Sequence, residues 1–287
     1  MKTCPGCTAR IGDRWECSGC GWQAPLIDGY LALAPELARA NDGFNPTYFA
    51  ELATVEAGNF WFRARNHLIA WALDRYFPGA TNLLEVGCGT GFVLSGIKER
   101  FPEIALSGSE LFCAGLGIAQ HRVQGAALFQ MDARAIPFVS EFDVIGAFDV
   151  LEHIADDELV LRQLHRASRP GGGILITVPQ HQFLWSPIDD AAHHVRRYSR
   201  SDLVAKVRNA GFDVEKVTSF VTLLLPVMLL SRTLKRFPRG NDDPIAELKM
   251  SWLANLVLGL VMGVERMFIR LGMTLPFGGS LLLVARK

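Results

Sequence analysis

The chain has 287 residues, of which 49% are hydrophobic and 20% charged. This length suits one α/β domain with a small additional module, and the composition is typical of a globular protein with a substantial core. The 29 basic residues balance the 29 acidic residues, so the formal net charge is zero. A neutral chain lacks general electrostatic attraction to nucleic acids, and DNA is not expected among its partners.

The first residues of the chain, Met1 to Cys7, contain no apolar segment of the length found in secretory signal peptides. A cytoplasmic location is therefore expected. In that reducing compartment, clustered cysteines favour a metal site over disulfides.

Four of the six cysteines occur within the first twenty residues, as two C-x-x-C pairs separated by nine residues. Each pair turns two thiolates toward one point, and four thiolates complete a tetrahedral zinc site with no open position for a substrate. A structural Zn²⁺ is therefore predicted, with a redox pair and an iron site as the alternatives. The predicted ligands are Cys4, Cys7, Cys17 and Cys20.

A glycine-rich loop follows the first strand of the main part of the chain. Residues 85–91 read Glu-Val-Gly-Cys-Gly-Thr-Gly, and a helix is predicted from Phe92 to Arg100. Glycines permit positive φ and a close approach of a ligand to the backbone, and the helix N-terminus offers unpaired N–H groups. This spacing differs from the G-x-G-x-x-G of dinucleotide-binding folds. The predicted contacts are Glu85, Gly87, Gly89 and Gly91.

Further strands alternate with helices, which predicts right-handed βαβ units and a parallel sheet. They are expected at 104–110, 127–130, 142–148 and, after a turn at 170–173, at 174–178. Glu110 ends the second strand, nineteen residues after Gly91. A carboxylate at that position can accept hydrogen bonds from both ribose hydroxyls.

Together these motifs resemble class I S-adenosylmethionine-dependent methyltransferases, in the branch that methylates small molecules, lipids and glycans. The resemblance covers about residues 45–220 and is carried by residues 85–91, 108–110, 132, 137–138, 151–154 and 169–172. It implies an α/β fold with a Rossmann-like, seven-stranded, mostly parallel sheet that binds S-adenosylmethionine.

The same resemblance implies roles for individual residues around the cofactor. Gly87 and Gly89 would line its methionine part, Glu110 would hold the ribose, and Asp132 would receive the adenine amino group. Asp149, after the fourth strand, is included among the cofactor-binding residues. Glu110 stands where the family more often has Asp, which keeps the charge on a longer side chain.

Residues 1–34 resemble the small zinc-ribbon proteins that partner and activate some methyltransferases, through the cysteine pairs and the Pro, Ile, Asp and Gly residues that follow them. The predicted organisation is thus a zinc ribbon at 1–34 and a methyltransferase domain at 45–287. Chelation is expected to unfold the ribbon but to leave cofactor binding mostly intact, because the two sites would use separate segments.

The acceptor is expected beyond the carboxyl ends of the strands, where open parallel sheets bind ligands. His153 and His194 are the candidates for a general base, His153 first, since a neutral imidazole can accept a hydroxyl proton. Alternatively, the histidines only organise their loops, and alignment alone drives methyl transfer. Arg196 and Arg197 could bind a phosphate or carboxylate of the acceptor, or form a solvated pair.

A hydrophobic helical insertion is predicted at about 221–278, between the last two strands at 212–218 and 280–285. Its apolar runs, 221–230 and 252–264, are each shorter than the roughly 18–20 residues that span a bilayer. The insertion could cap the acceptor pocket, which is preferred, or form a homodimer interface or a peripheral membrane contact.

The predicted function is methyl transfer from S-adenosylmethionine to a hydroxyl, or to a carbon or nitrogen, of a small-molecule or lipid- or glycan-linked acceptor. The alternative is a ribosomal or transfer RNA methyltransferase whose zinc finger recognises RNA. The neutral charge and the apolar insertion weigh against RNA. The aromatic motif of base-amino methyltransferases is also absent after the fourth strand, which continues as Asp149-Val-Leu-Glu.

Overall fold

The computed structural model of the protein describes residues 1–39, 47–234 and 248–287. The domain boundary predicted at residue 45 therefore lies outside the described residues. The strands are β1 Lys2–Thr3, β2 Arg10–Ile11, β3 Leu26–Ile27, β4 Tyr30–Ala32, β5 Asn82–Val86, β6 Ala105–Glu110, β7 Ala127–Gln130, β8 Phe142–Phe148, β9 Ser168–Pro179, β10 Asp213–Phe220 and β11 Ser280–Arg286. The α-helices are α1 Thr47–Val55, α2 Phe60–Tyr76, α3 Phe92–Arg100, α4 Cys113–Arg122, α5 Asp157–Ala167, α6 Pro187–Ala191, α7 Arg200–Asn209, α8 Leu225–Leu234 and α9 Trp252–Arg270.

One large sheet organises the structure, in the strand order β10-β11-β9-β8-β5-β6-β7-β4-β3. Neighbours from β4 to β9 pair in parallel, whereas β11 runs antiparallel to both β9 and β10. The seven strands β5 to β11 form the predicted mostly parallel α/β sheet, which is confirmed. The sheet has nine strands because β3 and β4 of the N-terminal module extend it.

The central strands are buried on both faces, and this explains their nearly continuous apolar sequence. Successive side chains of a strand point to opposite faces. Val144 and Leu175 accordingly belong to the core on one side of the sheet, and Ile145 and Ile176 belong to the core on the other side. Helices cover both faces, so the carboxyl edge of the parallel strands is left as the place for a ligand.

The N-terminal module shares its core with the main domain. Trp15 packs edge-on against Phe138 with ring centres 5.5 Å apart, and β4 pairs with β7 through Leu31 and Phe129. The backbone N–H of Thr3 also donates to the carbonyl of Pro137 at 2.9 Å. The ribbon and the predicted cofactor contacts lie in separate segments, as expected, but these segments share one core. The expectation that chelation leaves cofactor binding mostly intact therefore has to be revised.

The turn predicted at 170–173 lies inside β9, which begins at Ser168. The pairing of β9 with β8 shifts register between Phe142 and Val144, so the glycines form an irregular stretch of the strand and not a separate turn. A Cβ on Gly173 would lie 2.1 Å from the carbonyl oxygen of Ala285 on β11. Glycine is required there because two backbones approach closely.

The insertion between β10 and β11 contains α8 and α9. The second apolar run was predicted at 252–264, but α9 continues to Arg270 and has 19 residues. Within the described parts of the chain, this one helix is long and apolar enough to cross a membrane, by length and composition only. The apolar run at 252–264 is shorter than a bilayer span, as predicted, but the helix that contains it is not, because α9 includes the residues that follow the run.

Buried Glu265 of α9 anchors the start of this insertion. Its carboxylate accepts hydrogen bonds from the backbone N–H groups of Val221 and Thr222, each at 2.6 Å, and of Leu223 at 2.9 Å. Burial raises the pKa of Glu265, while the three donors favour its charged form. One side chain thus ties α9 to the end of β10.

Candidate active site

Three parallel strands, β8, β9 and β10, are followed at their carboxyl ends by residues with positive φ. These residues are Asp149, His181 and Val221, with φ of 57°, 64° and 61°. Such a backbone costs on the order of 1–3 kcal/mol for a residue with a side chain, and strain of this kind concentrates at functional sites. This edge is also the binding edge of open parallel sheets.

The glycine loop between β5 and α3 has the conformation its sequence requires. Gly87, Gly89 and Gly91 have φ of 69°, 50° and 74°. A Cβ on Gly87 would lie 2.5 Å from the Val150 side chain. The predicted ribose ligand, Glu110, lies directly against this loop and accepts a hydrogen bond from the N–H of Gly89 at 3.0 Å.

Glu85 lies beneath the loop, at the end of β5, and is 2% exposed. Burial raises its pKa to about 8, and the nearby Arg65 partly opposes this shift. Among the described residues, no group donates a hydrogen bond to its Oε2 atom. Buried acceptors are normally satisfied, so this oxygen fits an ammonium or another donor of a bound ligand. Together with the glycines and Glu110, it suits the amino acid and ribose parts of S-adenosylmethionine.

Asp132 follows β7, as predicted, but its carboxylate is already paired. Its Oδ1 accepts from the backbone N–H of Arg134 at 2.8 Å and from the Arg134 Nε at 3.0 Å. An adenine amino group would share this carboxylate with the arginine. The adenine role of Asp132 stays a prediction.

Asp149 forms an ion pair with Arg65 of α2. The arginine is 8% exposed, and its guanidinium lies 4.6 Å from the ring centre of Trp61. The sequence did not connect Arg65 with Asp149, because no local pattern links residues 84 positions apart. The cofactor role of Asp149 stays a prediction, and the ion pair makes α2 a wall of the site.

A second cluster fastens the segment before α2 to the glycine loop. Buried Glu56 accepts hydrogen bonds from the Thr90 hydroxyl at 2.8 Å. It also pairs with Arg122 of α4, whose Nη2 donates to the carbonyl of Ala53 at 2.9 Å. No sequence motif had indicated this cluster. Glu51 lies in the same stretch of sequence, so no local signal distinguished Glu56.

The two predicted histidines meet beyond the strand ends. The rings of His153 and His194 lie edge to face, 4.7 Å between centres. His153 is an exposed residue, but desolvation by the protein around it and the neighbouring His194 lower its pKa to about 4. A lowered pKa keeps the imidazole neutral at pH 7, which is the form that can accept a proton.

Asp189, which was not among the predicted site residues, orients His194. It is fully buried and accepts from His194 Nδ1 at 2.9 Å and from Arg197 Nε at 2.7 Å. Its hydrogen bonds to these partners lower its pKa in spite of burial. An acid on Nδ1 leaves the other ring nitrogen of His194 as an acceptor. The signal was available in the sequence, since Asp189 precedes His194 by five residues.

The arginines pair with buried carboxylates, so they do not form a solvated pair; their role in binding an acceptor anion stays a prediction. Arg197 binds Asp189, as described above, and Arg196 pairs with Asp157 at 2.6 Å. The same carboxylate accepts from the buried Tyr198 hydroxyl at 2.6 Å and from Lys206 at 2.7 Å. These bonds fix the loop after β9 onto α5 and α7.

Glu152 adds a third group beside the histidines. Its side chain is fully buried, and neither carboxylate oxygen finds a partner among the residues that the structure describes. Burial and the neighbouring Asp149 raise its pKa. Ligand atoms of Glu152, His153 and His194 lie within 4.8 Å of one another, a set that could also hold a divalent cation.

The four predicted metal ligands come together in the N-terminal module. The sulfur atoms of Cys4 and Cys20 are 3.6 Å apart, and those of Cys7 and Cys17 are 3.5 Å apart. Four thiolates at Zn–S distances of about 2.3 Å would be separated by roughly 3.8 Å. N–H groups of the following backbone, with Cys20 first, lower the pKa of Cys17 and favour its thiolate. The cluster fits a zinc ribbon.

The strand order, the glycine loop and the acid at the end of β6 define a class I methyltransferase fold. The family described as "Methyltransferase domain" matches residues 22–217, more than half of the chain. The chain belongs to this family and is an S-adenosylmethionine-dependent methyltransferase.

Similar proteins include ubiquinone biosynthesis O-methyltransferases of Pseudomonas paraeruginosa and Pseudomonas aeruginosa. They are 26% identical over 168 residues, which cover 52% of this chain and 72% of theirs. A structure of the Haloferax volcanii Trm112 methyltransferase activator with a methyltransferase contains a chain that matches with a TM-score of 0.56 and 16% identity, over 84% of this chain and 93% of that one. The structure of Haemonchus contortus phosphoethanolamine N-methyltransferase 2 matches with a TM-score of 0.57 and 20% identity, over 92% of this chain and 61% of that one. The structural matches show the fold.

Replacing Glu110 with Ala is expected to weaken S-adenosylmethionine binding about tenfold or more, because charge-assisted hydrogen bonds to the ribose would be lost. Titration calorimetry measures this affinity directly. Glu110→Gln keeps the size of the side chain and tests the contribution of charge. Wild-type affinity in Glu110→Ala, with unchanged thermal stability, would contradict the assignment.

Proposed function

We propose that the enzyme transfers the methyl group to a hydroxyl of a small-molecule or lipid-linked acceptor in biosynthesis. The observation that carries the proposal is the pair of His153 and His194 at the carboxyl edge, with Asp189 behind His194. A base oriented by a carboxylate suits an acceptor whose proton must leave as its oxygen attacks.

The acceptor oxygen would attack the methyl carbon while the bond from that carbon to the sulfonium sulfur breaks. The electron pair of the broken bond stays on sulfur, which becomes a neutral thioether, and the hydroxyl proton passes to a ring nitrogen of His153. Bound S-adenosylmethionine supplies the activated methyl group. Glu85, Gly87 and Glu110 would position it, and Asp149 with Arg65 would form the wall beside it.

The surroundings of the histidines support a partly apolar acceptor. His181 stacks on Phe183 and on Phe277, with ring centres 4.8 and 5.8 Å apart. Phe277 belongs to the insertion, so polar and apolar groups meet at the mouth of the site. The insertion would then form one wall of the acceptor pocket. The name of the Pseudomonas relatives, ubiquinone biosynthesis O-methyltransferase, agrees with an acceptor of this kind.

Transfer of a labelled methyl group tests the proposal even though the acceptor is unidentified. The purified enzyme and S-adenosylmethionine with a radioactive methyl group are added to a lipid and metabolite extract and, separately, to total RNA from the same cells. Label is expected in the solvent-extractable fraction. Label in RNA alone would overturn the proposal in favour of an RNA methyltransferase. The Glu110→Ala variant is the control for transfer that depends on the cofactor.

A further inference from the structure

The outward face of α9 is apolar along its whole length. Its exposed apolar side chains lie at helical spacing and thus form one stripe of the helix: Leu253, Leu256, Val257, Leu260, Val264 and Met267. Leu271, directly after the helix, continues the stripe. No charged residue occurs between Trp252 and Val264. Only 17% of the most apolar stretch of the helix is buried. A helix on the surface of a soluble domain normally has the opposite arrangement, with its polar face outward.

Helix α8 extends the apolar surface. Leu223, just before it, and Val227 within it are 45% and 56% exposed. Phe277 and Met273, after α9, are 59% and 49% exposed. Contiguous apolar areas of this size mark a binding surface. We name the exposed apolar residues at 223–230 and 252–277 the apolar face.

The inward side of α9 is fixed to the protein at both ends. Near its start, the N–H of Phe60 donates to the Asn255 side chain at 2.9 Å. Near its end, Glu265 holds the backbone after β10, and Arg266 contacts His67 at 3.2 Å. These polar anchors keep α9 lying along the domain. The helix is therefore oriented to rest on a surface and not to cross a bilayer.

The charged and aromatic residues around the apolar face indicate that it binds a bilayer and not a second copy of the chain. The insertion, residues 221–278, contains seven basic and four acidic residues, in a chain whose net charge is zero. Trp252, 77% exposed, stands at the start of the apolar stripe, and exposed Arg270 stands at its end. Tryptophan and basic side chains at the limits of an apolar stripe are the arrangement of helices that lie in the membrane interface.

We propose that the apolar face docks on the surface of an anionic lipid bilayer, with α9 parallel to the membrane plane. Phe277 belongs to this face and stacks on His181 at the strand edge, so the mouth of the site opens beside the bilayer. The inference deepens the proposed function by naming the surface from which a lipid-linked acceptor is taken. The docking itself does not depend on the proposed function; only the identity of the acceptor does.

Vesicle flotation of the full chain tests this proposal with neither acceptor nor cofactor. The vesicles contain phosphatidylcholine alone or with phosphatidylglycerol. We expect the protein to float with both, more strongly with the anionic vesicles, and less strongly as salt is raised. The double variant Leu256→Glu with Leu260→Glu should lose about tenfold or more of the binding, because two anchoring side chains become charged. Trp252→Ala should weaken it by a smaller factor.

The matched control is Leu26→Glu, since Leu26 is a 70% exposed leucine in the ribbon, away from the insertion. Its binding should equal that of the wild type. Absence of wild-type flotation would overturn the proposal, as would equal binding of the double variant. A wild-type dimer that the double variant dissociates, with no vesicle binding, would assign the apolar face to a second copy. Flotation without methyl transfer to lipid would leave the docking intact and contradict only the proposed acceptor.

Discussion

Removal of the metal from the four-cysteine cluster is expected to weaken S-adenosylmethionine binding by about tenfold or more and to lower the melting temperature of the whole protein. The reason lies in the shared core. Cys4 and Cys17 are buried among the same side chains as Met131 and Phe138, which belong to the segment around Asp132. A zinc ribbon depends on its metal for folding, so its loss would expose this core.

A second connection runs through the side chain of Gln130, at the end of β7. Its amide accepts from the N–H of Ala34 at 3.0 Å and donates to the Ala34 carbonyl at 2.8 Å. The same amide donates to the carbonyl of Leu111 at 3.1 Å, next to Glu110. Disorder of the last residues of the ribbon would break a largely buried network beside Glu110, at a cost of about 1–3 kcal/mol for each unsatisfied group.

Cofactor affinity and thermal unfolding are measured before and after chelation, together with the zinc content. The variant Cys4→Ser removes a buried ligand of the cluster, and Cys113→Ser is its control, because Cys113 is also buried but lies in α4. Only the first is expected to reproduce the effect of chelation. Unchanged affinity in metal-free protein would show that the ribbon and the cofactor site are independent. Absence of any bound metal after purification would refute the zinc assignment.

Replacing His153 with Ala is expected to lower kcat about a hundredfold while leaving the affinity for S-adenosylmethionine unchanged, if His153 takes the acceptor proton. The lowered pKa of His153 means that the neutral base already predominates at pH 7. His194→Ala should reduce kcat less, because His194 would act by positioning His153. Asp189→Asn should lower kcat by about as much as His194→Ala, since it alters the hydrogen bond to His194 Nδ1.

His121→Ala is the matched control, because this histidine is exposed on α4. Glu152, His153 and His194 could instead bind a divalent cation, and the assay must distinguish that role from proton transfer by His153. If a chelator stops turnover before zinc leaves the ribbon, and added Mg²⁺ restores it, His153 is a metal ligand and not the base. Full activity of His153→Ala would contradict both roles.

Much of the fold was predictable because its signals are local. Buried parallel strands read as short apolar runs, so β7 and β8 have the bounds predicted for them, as does α3 after the glycine loop. The position of Glu110 at the end of β6 was also predicted, since its distance from the loop is set by one βαβ unit. Such features depend on neighbouring residues and on the period of the chain.

The connections between distant segments could not be predicted in this way. Asp149 pairs with Arg65, and Glu56 binds Thr90 and Arg122. Each residue alone resembles an ordinary surface charge, and only the packing of α2 and α4 on the sheet makes it part of the site. The addition of β3 and β4 to the sheet was missed for a related reason, because strands of two or three residues carry almost no periodic signal.

The hydrogen bonds of the Glu265 carboxylate bear on which atom of an acceptor is methylated. The carboxylate joins α9 to Val221 at the strand edge. The outer surface of the helix would therefore keep a constant distance from the proposed catalytic histidines. An enzyme resting on a bilayer through that surface would hold its reactive centre at one height above the lipid. A long acceptor would then be methylated only at a hydroxyl that projects from the membrane by that distance. Two hydroxyls on one ring could be told apart in this way without a separate contact to each.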